Sequence, residues 1–316
     1  MKRACAALIL SVLCALRVAE AQQVPFLSEL FSRYEEFNRL LTAKRSAGAK
    51  TEAIEPLRKR GEEAFRRGNI PGIIELIGQS TAVLQGKPWD DKQQFIASLA
   101  LETDRIVIEP NAEFHVSLTR IFPTNIDQAY AASPTVTFEV TVAAPVSGST
   151  ATRPVQPMVI AQRLPIAITS SNAARRLLLA DGAYWVVARV ESGGQTIAEL
   201  KRPLYAISNF SDSIAQMSKM ISAIKTSSDP KVQSLAPLVA TPEFQLQRLA
   251  PLNKSRSESE TNPAQELDRI EDALTAIAKG QNPFSNERGE VERAYQASDG
   301  KLVPYRVYIP KSYDGA

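Results

Sequence analysis

The chain has 316 residues, 44% hydrophobic and 22% charged, with a formal net charge of +3. That apolar share is ordinary for a globular protein and excludes a wholly disordered chain. Lysine and arginine (37) so nearly balance aspartate and glutamate (34) that there is no electrostatic case for a nucleic-acid or acidic-membrane partner.

The first residues read as a secretory signal. Lys2 and Arg3 form a positive start, Ala6 to Leu16 an apolar stretch, and Ala19-Glu-Ala21 a small-x-small cleavage site. Arg17 interrupts the apolar run, which is too short to span a bilayer. Cys14 would suit a lipoprotein, but Leu13 stands where a lipobox has Gly or Ala, so simple export to the periplasm or the outside is expected. Both cysteines, Cys5 and Cys14, lie in this segment, which leaves the mature chain without a disulfide, thiol nucleophile or thiolate metal site. Such a chain must be stabilised by its cores. The signal carries Lys2, Arg3 and Arg17 against Glu20, so its removal leaves a net charge of +1.

Residues 22–100 read as helical. Phe26, Leu27, Leu30, Phe31, Tyr34, Phe37, Leu40 and Leu41 recur at intervals of three and four, a single apolar stripe. Ser28 and Glu29 at its start and Lys44 and Arg45 at its end suit the helix dipole. A second helix is expected over 52–67, with Ile54, Leu57, Ala64 and Phe65 inward. A third covers 73–84 after the turn that ends in Pro71, and a fourth covers 90–99.

From Arg105 the period changes to two. Ile106, Ile108, Phe114, Val116, Leu118 and Ile121 alternate with polar neighbours, as do Val136, Phe138, Val140 and Val142, and, with one offset, Trp185, Val187 and Val190. Turns are expected at Pro110-Asn111, Pro123-Thr-Asn125, Ser147-Gly148, Asp181-Gly182 and Gly193-Gly194. Six or seven short strands in this span fit an immunoglobulin-like or fibronectin-III-like sandwich. Helical periodicity returns after Asn209. Ile214, Met217, Ile221 and Ile224 form one stripe, shorter helices are expected over 232–239 and 242–249, and 253–263 reads as a solvated linker. Leu267, Ile270, Leu274 and Ile277 form another stripe, which Gly280 stops before Pro283.

The C-terminal tail reads as a hairpin: Val291 to Tyr295, a turn at Ser298-Asp-Gly300, then Leu302 to Ile309 and a proline-bounded loop. Asp299, Gly300, Pro304, Tyr305, Arg306, Tyr308, Pro310 and Tyr313 give this tail a pattern that resembles the opening of the α/β-hydrolase domain in secreted bacterial esterases and prolyl-oligopeptidase-like hydrolases. There, an Asp-Gly hairpin and a Pro-Tyr-Arg-x-Tyr-x-Pro-x-x-Tyr segment lead to the strand before the oxyanion loop. The resemblance covers about a tenth of the chain and touches structural residues only. No G-x-S-x-G elbow occurs in the sequence and no His-Gly-Gly loop follows Gly315. The chain is therefore expected to stop short of the catalytic residues and to be inactive alone.

Other candidate chemistry is sparse. His115, the only histidine, falls inside a predicted strand on its outer face, where a surface side chain is expected. Ser222-Ala-Ile-Lys225 matches S-x-x-K but has no S-D-N or K-T-G partner. Asp90-Asp91 and Glu35-Glu36 are adjacent on helices and point apart. Asp104, Glu109 and Glu113 lack calcium-loop spacing. Trp89, Tyr130, Tyr184, Trp185 and Tyr205 are weighed as a polymer-binding platform, against a core place for Trp185 and a capping place for Trp89.

The expected fold class is α+β and multi-domain. It divides into a signal (1–21), a helical module (22–100), a β-sandwich (101–207), a helical connector (208–285) and the start of an α/β-hydrolase domain (286–316). No catalytic, cofactor-binding or metal residue is assigned, and no cofactor. Expected partners are a small ester or peptide substrate, through the parent's catalytic domain, and neither nucleic acid nor a membrane span after cleavage. The alternative is a complete exported binding protein whose sandwich takes a protein or polysaccharide.

Overall fold

A computed structural model describes residues 26–125, 130, 132–143, 158–166, 170–253 and 262–312. The signal, the Ser147-Gly148 turn, most of the linker and Tyr313 lie outside the described residues. The fold is mixed α+β, and the chain divides into two compact units, residues 1–100 with 120–131, and residues 101–119 with 132–316.

The first unit is helical. It holds α1 (Leu27–Ser46), α2 (Glu55–Arg66), α3 (Ile70–Gln85) and α4 (Asp91–Ser98). A 3-10 turn, Glu52–Ile54, takes the first residues of the expected second helix. The other boundaries follow local chemistry. The Asn69 side chain accepts from the Gly72 N–H at the start of α3, Pro71 sits in its first turn, and Gly86 ends it at φ +70°. The Asp90 carboxylate accepts from Gln93 N–H and starts α4. Ile74, Ala100, Ile121 and Phe122 form a buried cluster, with Phe26, Leu30, Ile70 and Ala97 packed against it. On α1, Leu30, Phe31, Tyr34, Phe37, Leu40 and Leu41 are half-buried. Trp89 lies against α3: a Cβ on Gly78 would stand 3.1 Å from its ring, so glycine at 78 lets the indole come close.

The second unit holds two sheets and a helical cluster. Strands β1 (Leu99–Thr103), β3 (Glu113–Arg120) and β6 (Ser170–Arg176) form one sheet, in the order β1-β3-β6. The other has the order β2-β8-β7-β4-β5, from β2 (Val107–Ile108), β4 (Thr135–Val142), β5 (Met158–Pro165), β7 (Gly182–Ser192) and β8 (Gln195–Ala206). The β2–β8 pair is parallel, and β8-β7-β4-β5 is antiparallel throughout. Gly193 and Gly194, at φ +57° and +79°, join β7 to β8. A two-residue hairpin needs positive φ at both positions to match strand twist, and glycine adopts it without strain. Phe114, Val116 and Leu118 are buried on β3, as are Val136, Phe138 and Val140 on β4. Arg202 Nε donates to the Leu101 carbonyl at 3.0 Å, tying β8 to β1.

One expectation fails here. Trp185 does not fill the core and is 37% exposed. The inward residues of β7 are Tyr184, Val186, Ala188 and Val190. Val186-Val187-Ala188 is apolar at every position, so alternation alone does not fix which face is inner. Tyr184 can face inward because its hydroxyl donates to the Ala180 carbonyl at 2.8 Å.

Helices α5 (Phe210–Lys225), α6 (Pro230–Leu235), α7 (Ala240–Leu249) and α8 (Pro263–Ala278) enclose a second core. It gathers Met217, Ile221 and Ile224 from α5, Leu246 and Leu249 from α7, and Leu267, Ile270, Leu274 and Ile277 from α8, with Val107 of β2 among them. Both predicted stripes thus face one another. Gly280 ends α8 at φ +70°, with its N–H on Ile277 and that of Gln281 on Ala276. The tail forms β9 (Gly289–Gln296) and β10 (Leu302–Ile309), a two-stranded antiparallel sheet.

Candidate functional site

The hairpin combines an exposed apolar face with a backbone edge that has no strand on it among the described residues. Its turn is a three-residue loop. Gly300 N–H donates to the Ala297 carbonyl at 2.9 Å and Ala297 N–H to the Lys301 carbonyl at 2.8 Å, with Gly300 at φ +82°. Asp299 Oδ1 accepts from Lys301 N–H at 3.1 Å, which is why aspartate suits the position.

The two edges of the hairpin differ. Ala294 on β9 faces Pro304 on β10. Thr241, on α7, accepts the Ala294 N–H at 3.1 Å and donates its hydroxyl to the Ala294 carbonyl at 3.3 Å. Both groups of Ala294 therefore point away from β10, so Ala294–Pro304 is a non-hydrogen-bonded pair and the missing proline N–H costs the ladder nothing. Arg248 of α7 adds an ion pair to Glu292 of β9 at 2.9 Å. The outer edge of β9 is thus closed by a helix. That of β10 is open among the described residues.

Alternation sorts the side chains. Ala294, 6% exposed, faces α7 together with Pro304. On the other face Tyr295 (51% exposed), Tyr305 (45%) and Val307 (39%) form a continuous patch, the two tyrosine ring centroids being 6.1 Å apart. Arg293 completes that face, its guanidinium 4.0 Å from the Phe284 ring centroid and ion-paired with Glu287. Tyr308 projects on the face of Ala294 and is 68% exposed.

A shallow cleft of about 320 Å³ lies at the start of α5, lined by Glu109, Pro110, Ser208, Asn209, Ser211 and Asp212. Glu109, Ser208 and Ser211 are already hydrogen-bonded. Glu109 Oε1 accepts from the Ser211 N–H at 2.7 Å, Asn253 Nδ2 donates to Ser211 Oγ at 2.9 Å, and Asp181 Oδ1 accepts from both the Ser208 N–H and hydroxyl at 2.8 Å. This is helix capping by distant carboxylates. None of its hydroxyls is hydrogen-bonded to a histidine or a lysine among the described residues.

The other residues that sequence singled out take structural places. His115 is exposed on β3; its N–H donates to Asp104 Oδ1 at 3.2 Å, while Asp104 Oδ2 accepts from Arg105 at 2.7 Å. Ser222 donates to the Ser218 carbonyl at 3.1 Å, and Lys225 is bound to Glu243 at 2.6 Å. Glu35 and Glu36 are exposed on α1, and Glu113 is exposed at the start of β3. The five aromatics are divided between the two units. Tyr130 packs edge-on against Phe95 in the first unit, centroids 5.4 Å apart, Tyr184 is buried, and Tyr205 packs on the helical core. Among the described residues no group of three His, Cys, Asp or Glu side chains is placed to hold a metal ion, and no helix is long and apolar enough to cross a membrane.

Sequence reasoning found the hairpin but missed Thr241, whose role depends on a strand more than fifty residues away. No protein-family model matches the chain, and no curated protein does. Among solved structures, a superoxide reductase (neelaredoxin) from Ignicoccus hospitalis aligns with 35% of this chain and 80% of its own, at 13% identity and a TM-score of 0.24. A likeness that slight carries no conclusion about fold or chemistry.

Proposed function

We propose that this chain is the non-catalytic N-terminal portion of an exported serine hydrolase acting on carboxylic esters or peptides. In this reading β9 and β10 are the first strands of the catalytic sheet, the two larger sheets form an immunoglobulin- or fibronectin-III-like sandwich, and the helices dock the catalytic domain or shape substrate access. The observation that carries it is the hairpin: its turn and strand residues match the hydrolase opening, and it presents Tyr295, Tyr305 and Val307 to solvent. Two strands alone bury too little apolar surface to stand without support. Here α7 supports one edge and leaves the other for a larger sheet.

The test has two arms. Sequencing the locus past the codon for Ala316 should show an open frame with a His-Gly-Gly loop, a G-x-S-x-G elbow and a late histidine. Protein from that longer frame should hydrolyse p-nitrophenyl esters and react with a fluorophosphonate probe, and residues 22–316 should do neither. A stop codon directly after Ala316, or fluorophosphonate-sensitive turnover by residues 22–316, overturns the proposal.

A second reading, an exported binding protein, has one observation in its favour: the exposed ring of Trp185, which stands on the five-stranded sheet between Thr141 and Pro203 in register. Co-sedimentation with an insoluble polysaccharide that Trp185→Ala abolishes would support it, and equal retention of both proteins would remove it.

A further inference from the structure

We infer that the open edge of β10, from Pro304 to Ile309, is a strand-addition site for an extended polypeptide segment that is apolar on one face and acidic on the other, and not for a second copy of this chain. The hydrolase reading gives this edge to the next strand of a larger sheet; the inference gives it to a separate segment and is argued from the edge alone.

The backbone geometry fixes which groups are offered. Because Ala294–Pro304 is a non-hydrogen-bonded pair, the pairs two residues along, Glu292–Arg306 and Glu290–Tyr308, are non-hydrogen-bonded too. The N–H and C=O groups of Arg306 and Tyr308 therefore point outward from β10, with the Pro304 carbonyl beside them. Those of Tyr305 and Val307 turn inward to β9. A strand laid along this edge finds its hydrogen bonds at 306 and 308 and covers the patch of Tyr305 and Val307 with alternate side chains.

Charge selects the occupant. Strand β10 carries no acid, and its exposed charges are Arg306 within it and Lys301 and Lys311 at its ends. Of the hairpin's acids, Glu290 and Glu292 sit on β9, where Glu292 is held by Arg248, and Asp299 sits in the turn, 3.2 Å from the Lys301 ammonium. Glu290 lies 3.8 Å from Arg306 with both side chains about 70% exposed, a contact that contributes little in water. The edge is thus cationic at Arg306 and, beyond its end, at Lys311, and favours a strand with carboxylates opposite Arg306. Two copies paired antiparallel about Arg306 would set arginine against arginine, and would set Pro304, which has no N–H to give, against Tyr308. Both features oppose self-pairing.

The probe is the capped heptapeptide Thr-Val-Glu-Val-Glu-Val-Thr, with a counterpart carrying Lys at both Glu positions as control. Each is titrated into the chain from residue 22 while amide hydrogen exchange is followed residue by residue. The acidic peptide should bind saturably and slow exchange at Arg306 and Tyr308, with the lysine peptide at least about tenfold weaker. Arg306→Glu, a change at an exposed position, should reverse that preference. Three results overturn the inference: no added protection at Arg306 and Tyr308 at millimolar acidic peptide, equal protection by both peptides, or a dimer in sedimentation that protects those two amides without peptide. The gene sequence past Ala316 tests the hydrolase proposal, and these outcomes, read on residues 22–316, test the edge separately.

Discussion

Thr241 and Ala294 satisfy one another completely: one hydroxyl, 53 residues back along the chain, accepts the Ala294 N–H at 3.1 Å and donates to its carbonyl at 3.3 Å. Thr241 is 3% exposed and Ala294 6%, so neither backbone group has water as a substitute. This contact, with the Arg248–Glu292 ion pair, joins the hairpin to the helical core.

Replacing that hydroxyl should therefore be felt at the hairpin before anywhere else. Thr241→Val keeps the shape and strands two buried polar groups, a loss of about 1–3 kcal/mol. Amide exchange at Ala294 should accelerate and the urea midpoint fall, while Thr241→Ser should keep most of both. An unchanged exchange rate at Ala294 in Thr241→Val would show that the contact does not hold the hairpin.

How much of this was legible in the chain varies with the range of the interaction. The stripes of α5 and α8 are read directly from Met217, Ile221 and Ile224 and from Leu267, Ile270, Leu274 and Ile277, because a period near 3.6 needs no partner to be seen. The hairpin follows from Asp299 and Gly300 in the same way. The face of Trp185 was not legible, since its neighbours are apolar on both sides and Tyr184 gains a hydroxyl partner only after folding. Glu109 capping Ser211, and Arg202 reaching Leu101, link residues about a hundred positions apart. No local pattern encodes either. The same holds for the closed edge of β9, which is what makes the two sides of the hairpin different.

Gly280 is required twice over. Its φ of +70° suits glycine, and a Cβ there would stand 3.0 Å from Lys231 Cβ on α6. Gly280→Ala should destabilise by about 1–2 kcal/mol from backbone conformation alone, with the contact adding to it. In a Lys231→Gly background the same substitution should lower the urea midpoint less, because only the steric part is relieved. Equal losses in the two backgrounds would assign the whole effect to the backbone.

Alkaline pH should loosen both units. Burial raises the phenols of Tyr130, Tyr184 and Tyr205, with Asp90 adding to it at Tyr130 and Asp181 at Tyr184. A pKa higher in the folded chain than in the unfolded one means that stabilisation is fully present below the ordinary tyrosine value of about 10 and is lost as pH rises through the folded values. The urea midpoint should thus hold to about pH 9 and fall by about pH 11. Tyr205→Phe keeps the ring in the helical core and removes one titrating group, so its midpoint should fall less over that interval. A parallel decline in both proteins would dissociate Tyr205 from the effect.

In the first unit, Arg33 is the side chain whose loss should be most costly. Its Nε donates to Glu29 Oε1 at 2.6 Å along α1, one guanidinium nitrogen donates to the Ala97 carbonyl, and the other donates to the Leu99 carbonyl at 2.6 Å. The last carbonyls of α4 lack intrahelical donors and carry the negative end of its dipole, so a cation there is both hydrogen-bonded and electrostatically favoured. Glu29 is 7% exposed, and Arg33→Met removes the guanidinium 2.6 Å from its carboxylate in a largely dry site. The expected destabilisation is about 3–5 kcal/mol, the usual result of breaking a buried pair from one side. Arg33→Lys should recover little, because one ammonium cannot reproduce the planar fork that serves a carboxylate and two carbonyls. The double variant Arg33→Met with Glu29→Leu separates the causes. If loss of the Arg33–Glu29 pair dominates, the double variant should regain much of the loss in thermal unfolding. If it is no more stable than Arg33→Met, capping of α4 is what Arg33 contributes, and the ion pair is incidental to it.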